Sequence, residues 1–159
     1  DIVIVDSDEV DEDFNARFSA VSRTYKYVIL NRPFPSAFHR NYAYFYPKEL
    51  NLENLQACCN VLIGRQDFSS FQKSGSDRVN PECTIYRANW NREGDFVYFH
   101  IEADSFLRRM VRAIVGTCLM FKDKENSSEE MKKVIEARNR CVAGTSAPAC
   151  GLYLVKVKY

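Results

Sequence analysis

The stretch SFLRRMVR, residues 105–112, sets three arginines into an otherwise apolar segment. Large apolar residues recur there at helical spacing, which predicts a helix over 105–121 with one broad buried face. They are Phe106, Leu107, Met110, Val111, Ile114, Val115 and Phe121. Arg108, Arg109 and Arg112 are spaced so that their guanidinium groups cluster near the helix start. Because that end of a helix favours anions, the cluster predicts a negative partner, either a carboxylate or a phosphate.

Composition places the chain among ordinary soluble globular proteins. It has 159 residues, 46% of them hydrophobic and 27% charged, which fits one domain or part of a larger protein. No apolar run is long enough to span a membrane. The six cysteines form no Cys-x-x-Cys pair, which favours reduced, buried thiols in a cytosolic protein over metal ligands or disulfides. Because the first residue is Asp1 and an apolar run follows at once, we expect a piece of something longer.

Charge is distributed unevenly along the chain, although the net charge is only +1. Residues 1–13 hold seven acids and no base, which leaves 14 acids against 22 bases and a net +8 on the rest. That excess suits a polyanionic partner. It fits an ordinary solvated surface equally well.

Periodicity and turn residues predict an α+β fold. Alternation predicts strands over 23–30, 42–46, 83–90, 96–102 and 151–159, and the apolar run at 1–5 is also strand-like. Helical spacing predicts helices over 51–62, 105–121 and 127–140, the last beginning with a capping box at Ser127 and Glu130. The stretch 72–82 is loop-like, and 91–95 joins two strands as a hairpin. Runs of strands interleaved with three helices favour helices packed on a largely antiparallel sheet.

Several kinds of chemistry find no support in the sequence. His39 and His100 lie far apart and outside any ligand-spaced motif, so we interpret both as structural or surface residues. No glycine-rich nucleotide loop, serine-hydrolase elbow or zinc-hydrolase motif occurs. Ser74 and Ser76 have no base nearby in sequence to activate them. Nucleotide cofactors and zinc hydrolysis are therefore not predicted.

An aromatic and cationic set remains. It comprises Arg17, Arg23, Tyr25, Tyr27, Lys73, Arg78 and the arginines of the 105–121 helix. Aromatic rings stack on unpaired bases while Arg and Lys hold phosphates, and this combination is typical of RNA recognition. Tyr25 and Tyr27 would equally suit core packing on one face of a strand, and composition leaves both interpretations open.

Four blocks of the sequence resemble the tRNA pseudouridine synthase A family, in the order in which that family carries them. The first is FNARFSA at 14–20, followed by RTYKY at 23–27. The second is DFSSF at 67–71, and the third is FLRRMVR at 106–112 with IVG at 114–116. The last is APA at 147–149 with GLYL at 151–154. Together the blocks span nearly the whole chain.

The resemblance implies a pseudouridine synthase fold that works without metal or cofactor. It implies a cytoplasmic homodimer, not associated with membranes, whose partner is tRNA. The expected substrate is a uridine of the anticodon stem-loop, at tRNA positions 38–40. The enzyme would break the N-glycosidic bond, turn the uracil and reattach it through carbon. Such chemistry requires a flipped-out base, because the bond is out of reach while the base stays stacked.

The resemblance also assigns roles to individual residues. Tyr25 matches the active-site tyrosine, which packs against the flipped base and is a proton acceptor in the later step. Arg112 matches the arginine that pairs with the catalytic aspartate, and Leu152 matches an apolar residue lining the base pocket. The other expected substrate contacts are Arg17, Lys73, Arg108 and Arg109.

The sequence departs from the family at the catalytic carboxylate. The family's aspartate lies in a Gly-Arg-Thr-Asp-Ala-Gly motif, which is absent here. Asp67 and Asp77 lie in other contexts, and neither is expected to be the nucleophile. We therefore expect residues 1–159 to be a C-terminal domain with half of the active site, inactive alone, and the aspartate to lie in an upstream domain. The alternatives are a noncatalytic RNA-binding module and a scaffold whose aromatic residues are all core.

Overall fold

A sheet backed by helices forms the framework of the chain in the computed structural model, which describes residues 2–76 and 79–159. Within those residues the strands are β1 (Ser22–Leu30), β2 (Tyr44–Phe45), β3 (Gly64–Asp67), β4 (Glu82–Glu93), β5 (Phe96–Ala103) and β6 (Leu152–Lys158). The helices are α1 (Leu52–Asn60), α2 (Met110–Met120) and α3 (Ser127–Glu136). Asp1, Asp77 and Arg78, which belong to the predicted acidic segment, loop and cationic set, lie outside the described residues.

The sheet is mostly antiparallel, with the order β2-β1-β5-β4-β3 and with β6 also paired to β1. The short β1–β2 pair is parallel, and the other pairs in the described part of the chain are antiparallel. This confirms the predicted α+β class. β1 is central because its alternation serves both faces of the sheet: Tyr27 and Ile29 enter the main core, while Val28 and Leu30 form a small cluster on the other face.

The main core lies between the sheet and the three helices. α1 begins at Asn51, whose side chain accepts hydrogen bonds from the backbone N–H groups of Glu53 and Asn54 at 3.0 and 3.2 Å. α2 contributes the predicted apolar face, on which Met110 and Ile114 are fully buried. Within the described residues, no helix has the length and apolar character needed to cross a membrane.

The start of the predicted 105–121 helix was wrong, because regular helix begins only at Met110. Arg109 precedes it in the left-handed region, with φ 66°. The carbonyl oxygen of Arg108 accepts a hydrogen bond from the backbone N–H of Lys73 at 3.0 Å. That oxygen is therefore engaged by another segment. The apolar residues Phe106 and Leu107 contact the core from non-helical backbone.

Two further predictions were wrong, and one strand was not predicted. Residues 2–5 form no strand, and their side chains are exposed. Ser127 does not cap α3, because Asn126 is the capping residue and the Ser127 hydroxyl donates to the carbonyl oxygen of Asn54 at 2.9 Å. Strand β3 was missed, because Gly64–Asp67 shows no apolar alternation and is defined only by its pairing with β4.

The remaining predicted elements exist with altered bounds. The helices expected over 51–62 and 127–140 and the strand expected over 42–46 are all shorter, whereas the strand expected over 83–90 is longer. The hairpin after it closes with a two-residue turn at Gly94 and Asp95, and Gly94 has the positive φ of 57° that such turns require.

Candidate active site

Tyr25 stands in an open cleft of about 840 Å³ where β1 faces the turn before α2. We call it the Tyr25 cleft; its lining residues are Arg17, Phe18, Ala20, Arg23, Tyr25, Asp104, Ser105 and Phe106. The Tyr25 ring is half-buried and meets the ring of Phe106 edge-on, with the centroids 5.1 Å apart. Its hydroxyl makes no hydrogen bond to any described residue. The ring is thus held by packing, and the hydroxyl is available to a ligand.

The backbone is irregular next to Tyr25. Along the β1–β6 ladder, Thr24 pairs with Lys156 while Tyr25 pairs with Leu154, so Val155 is an extra residue on β6. Such a bulge increases the local twist and re-aims the side chains around it, and bulges are over-represented beside active sites. This one changes the pairing of the strand at the predicted catalytic tyrosine.

Arg23 serves the architecture of this cleft. Its guanidinium donates to the carbonyl oxygens of Ala20 at 3.0 Å, Asp104 at 2.6 Å and Arg17. These bonds tie the turn at 15–20 to the end of β5. Arg17 itself is exposed, with its guanidinium 5.4 Å from the centroid of the Phe18 ring. Arg17 therefore offers a cation at the cleft mouth, while the Arg23 cation is engaged by backbone.

Arg112 lies in the first turn of α2 and is fixed at one end only. Its Nε donates to the carbonyl oxygen of Ala147 at 2.6 Å, and the Ala147 N–H donates back to the Arg112 carbonyl oxygen at 2.9 Å. The side chain is half-buried. Among the described residues no carboxylate pairs with it, and its Nη groups form no hydrogen bond. A guanidinium has five N–H donors, so four have no partner among the described residues.

The segment that holds Arg112, residues 143–148, is locked against α2 and β1. The Gly144 N–H donates to Thr117 Oγ1 at 2.9 Å, and a Cβ on Gly144 would lie 2.6 Å from the carbonyl oxygen of Gly116. The hydroxyl of Tyr27, which is fully buried, donates to the Pro148 carbonyl oxygen at 2.6 Å. The backbone of residue 144 can therefore approach the Gly116 carbonyl oxygen this closely only because glycine has no Cβ.

Burial, reinforced by neighbouring Cys150 and Tyr44, raises the pKa of Tyr27 far above its usual range, so its hydroxyl stays protonated and donating. Arg112 and Tyr27 bind adjacent carbonyl oxygens, those of Ala147 and Pro148, and the Arg112 charge acts on this pKa in the opposite direction. Leu152 pairs with Tyr27 across β1 and β6 and packs half-buried on the main core. Arg112 and Leu152 therefore both lie around Tyr27, two residues along β1 from Tyr25.

Three of the four predicted basic contacts lie beside one another, and the fourth, Arg17, lines the Tyr25 cleft. Lys73 is bonded through its backbone to Arg108, and it lines an open cleft together with Arg109. Three residues that were not predicted as contacts complete that cleft: Ser74, Arg140 and Ser146. The only signal for these residues in the sequence is that Ser146 directly precedes the closing Ala-Pro-Ala block.

The other polar residues considered from the sequence have local partners. Asp67 accepts from the Ser69 N–H at 2.8 Å and faces Arg138 Nε at 3.3 Å. His39 is exposed and contacts the Ser36 hydroxyl at 2.9 Å. All six cysteines are free thiols, and four of them are buried.

Comparison with known proteins identifies the family of the chain. A family model described as tRNA pseudouridine synthase matches residues 58–159. The chain belongs to this family. The matched range contains Arg112, Leu152 and the three cations of the cleft that Lys73 lines, whereas Tyr25 lies before it.

Curated members of the family align over the Tyr25 region as well. The tRNA pseudouridine synthase A of Acetivibrio thermocellus is 43% identical over 159 residues, covering 100% of this chain and 65% of the relative. That of Bacteroides fragilis is 42% identical over 160 residues, covering 100% of this chain and 63% of the relative. That of Parabacteroides distasonis is 44% identical over 145 residues, covering 91% and 57%. The chain thus spans between 57% and 65% of the length of these family members.

Proposed function

We propose that the protein containing this chain isomerises uridine to pseudouridine in the anticodon stem-loop of tRNA. The observation that carries the proposal is Arg112, a half-buried cation bound to Ala147 through Nε alone. A buried charge is costly unless it is paired, so a half-buried guanidinium with free donors implies an anionic partner at that point. The family's catalytic aspartate is a partner of this kind.

The reaction needs only groups that a polypeptide supplies. The N1–C1′ bond of the nucleotide breaks, the uracil turns, a C5–C1′ bond forms, and the proton leaves C5 while N1 gains one. No electrons are exchanged with another molecule, so the reaction calls for no redox cofactor. Tyr25 would pack on the flipped base and take the C5 proton, and Leu152 would line the base pocket.

We place the catalytic aspartate in an upstream domain, where it would meet Arg112, so this chain would supply the Tyr25 and Arg112 half of the site. Arg17, Lys73, Arg108 and Arg109 would bind the RNA. The cytoplasmic location and the homodimer remain predictions from the family resemblance.

A tritium-release assay tests the activity, because isomerisation expels the hydrogen at C5. The longer protein, containing the upstream domain, is incubated with tRNA labelled with tritium at uridine C5. We expect release by the longer protein and none by the 159-residue chain. Tyr25→Phe and Arg112→Ala should lower the rate at least about 100-fold, since they remove acid–base and positioning groups. Tyr86→Phe is the matched control, because Tyr86 is exposed on β4.

Each other outcome has a definite meaning. Full activity of the 159-residue chain would disprove the upstream carboxylate. Tight tRNA binding by both proteins without tritium release would favour the noncatalytic RNA-binding module. Absence of tRNA binding at low salt, where phosphate contacts are strongest, would favour the scaffold.

A further inference from the structure

A second cleft, separate from the Tyr25 cleft, lies at the start of α2 and has a volume of about 330 Å³. We call it the basic cleft. Its lining residues are Lys73, Ser74, Arg109, Arg140 and Ser146. They come from three parts of the chain: the loop after residue 71, the turn before α2 and the segment around residue 143. The fold therefore assembles three cations and two hydroxyls that are far apart in sequence.

The three cations have no acidic partner within residues 2–76 and 79–159. No aspartate or glutamate lines the basic cleft, and neither Lys73, Arg109 nor Arg140 forms an ion pair there. Other arginines of the chain are paired, for example Arg65 with Glu82 at 2.7 Å. Unpaired cations that converge on one space repel one another and attract an anion.

Arg140 is held in place at the wall of the basic cleft. Its Nη1 donates to the Ala143 carbonyl oxygen at 3.2 Å and its Nη2 to Ser146 Oγ at 3.3 Å. Two of its five N–H donors are thereby used to hold the half-buried guanidinium in place, and three remain. A guanidinium fixed in this way loses little side-chain entropy when it binds a phosphate or carboxylate.

The lining points to phosphate and not to a base. Aromatic side chains are absent from the described lining of the basic cleft, whereas Tyr25, Phe18 and Phe106 line the Tyr25 cleft. Bases stack chiefly on aromatic side chains, whereas phosphate contacts are made by cations and hydroxyls. The basic cleft also adjoins Arg112, because Ser146 precedes Ala147, whose carbonyl oxygen binds Arg112 Nε.

We propose that the basic cleft binds a single phosphodiester of the tRNA backbone close to the nucleotide held at Arg112, with Arg109, Arg140, Lys73 and Ser146 as its ligands. This rests on the proposed function for the identity of the polyanion. It adds Arg140 and Ser146 to the expected contacts and assigns them one common phosphate.

Salt dependence of tRNA binding tests the site. The logarithm of the binding constant falls with the logarithm of salt concentration by about 0.7 to 0.9 for every phosphate neutralised. Fluorescence anisotropy of labelled tRNA with the longer protein, between about 50 and 200 mM salt, measures this slope. Arg109→Gly removes a cation at a residue with φ 66°, which glycine adopts without strain, so the fold should be retained. Arg140→Gln removes the second cation.

Arg138→Gly provides the matched control. Arg138 also has a positive φ, 46°, and carries the same charge, but it faces Asp67 outside the basic cleft. We expect each cleft variant to weaken tRNA binding about tenfold and the double variant to lower the slope by about 0.7 to 0.9, the value for one phosphate. The control should leave the slope unchanged.

Three results would overturn the assignment: an unchanged slope in the double variant, a slope loss of about twice the single-phosphate value, or an equal loss in Arg138→Gly. Arg140→Gln also removes the bonds to Ala143 and Ser146. If the double variant misfolds for that reason, the salt slope measured with Arg109→Gly alone takes its place. A slope loss without uridine isomerisation by the longer protein would disprove the proposed function and leave the phosphate site standing.

Discussion

Gly144→Ala should displace the segment that binds the Arg112 side chain through Ala147, without altering any functional side chain. A Cβ at residue 144 would lie 2.6 Å from the Gly116 carbonyl oxygen and 2.8 Å from the Thr117 nitrogen. Both are backbone atoms of α2, which cannot turn away as a side chain can. The segment 143–148 must therefore move off the helix.

The size of the movement follows from the contact. Opening 2.6 Å to an ordinary contact of 3.4 Å needs a shift of about 0.8 Å. The same shift stretches the 2.9 Å bond from the Gly144 N–H to Thr117 Oγ1 beyond hydrogen-bonding distance. Overpacking costs about 1–3 kcal/mol and an unsatisfied buried polar group about 1–3 kcal/mol. We expect a loss of about 3 kcal/mol in the free energy of unfolding.

Activity should fall as well, because Ala147 moves with the segment. A displacement of about 1 Å at a positioning group costs about 100-fold in rate. Urea unfolding of the chain, followed by the fluorescence of its single tryptophan, Trp90, measures stability, and tritium release by the longer protein measures kcat. Thr145→Ala is the control, since Thr145 is exposed and lies in the same segment. Wild-type stability and kcat in Gly144→Ala would refute the role of segment 143–148 in positioning Arg112.

Two further outcomes follow from hydrogen bonds of the fold. Tyr27→Phe should lower the free energy of unfolding by about 1 kcal/mol and also lower kcat, because it removes the bond that holds the Pro148 carbonyl oxygen. Tyr153→Phe, the control, also loses a bond to a backbone carbonyl but should leave kcat unchanged. Equal losses of kcat in the two variants would contradict this. Two lysines lower the Glu130 pKa from 4.5 to about 2, so the stabilisation it provides is complete above pH 4.5 and disappears as the pH falls towards 2. Glu130→Gln should remove that part of the pH dependence of urea midpoints.

The parts of the fold that could be predicted are those set by local periodicity. β1 and β5 alternate over eight or more residues, and their observed bounds differ from the predicted ones by a single residue. The helix α1 has a polar cap at Asn51 and an apolar stripe, and both are visible in sequence. Here the local pattern and the tertiary packing require the same conformation.

The failures arise where a distant residue decides. Ser127 looks like a cap, but its hydroxyl is used by Asn54, 73 residues earlier. The helix start looks like residue 105, but the Arg108 carbonyl oxygen is bonded to Lys73. No window of local sequence contains these contacts, so propensity and capping rules could not find them.

The site divides in the same way. The family resemblance indicated Tyr25, Arg112 and Leu152, and the structure shows what surrounds each of them. Only Lys73 and Arg109 of the basic cleft were predicted as contacts, because Arg140 was predicted to end a helix and not to line the same cleft as Arg109. Its partners are brought together by tertiary folding alone.

Segment 143–148 contains neither helix nor strand in the structure. Yet the N–H groups of Gly144 and Ala147 are bonded to Thr117 Oγ1 and to the Arg112 carbonyl oxygen of α2. Exchange of these amide protons with solvent requires the segment to separate from the helix, so their protection should follow that of α2. We therefore expect a stretch that a ribbon drawing would show as loop to exchange as slowly as the core, so that Arg112 is oriented by a segment that opens only together with α2.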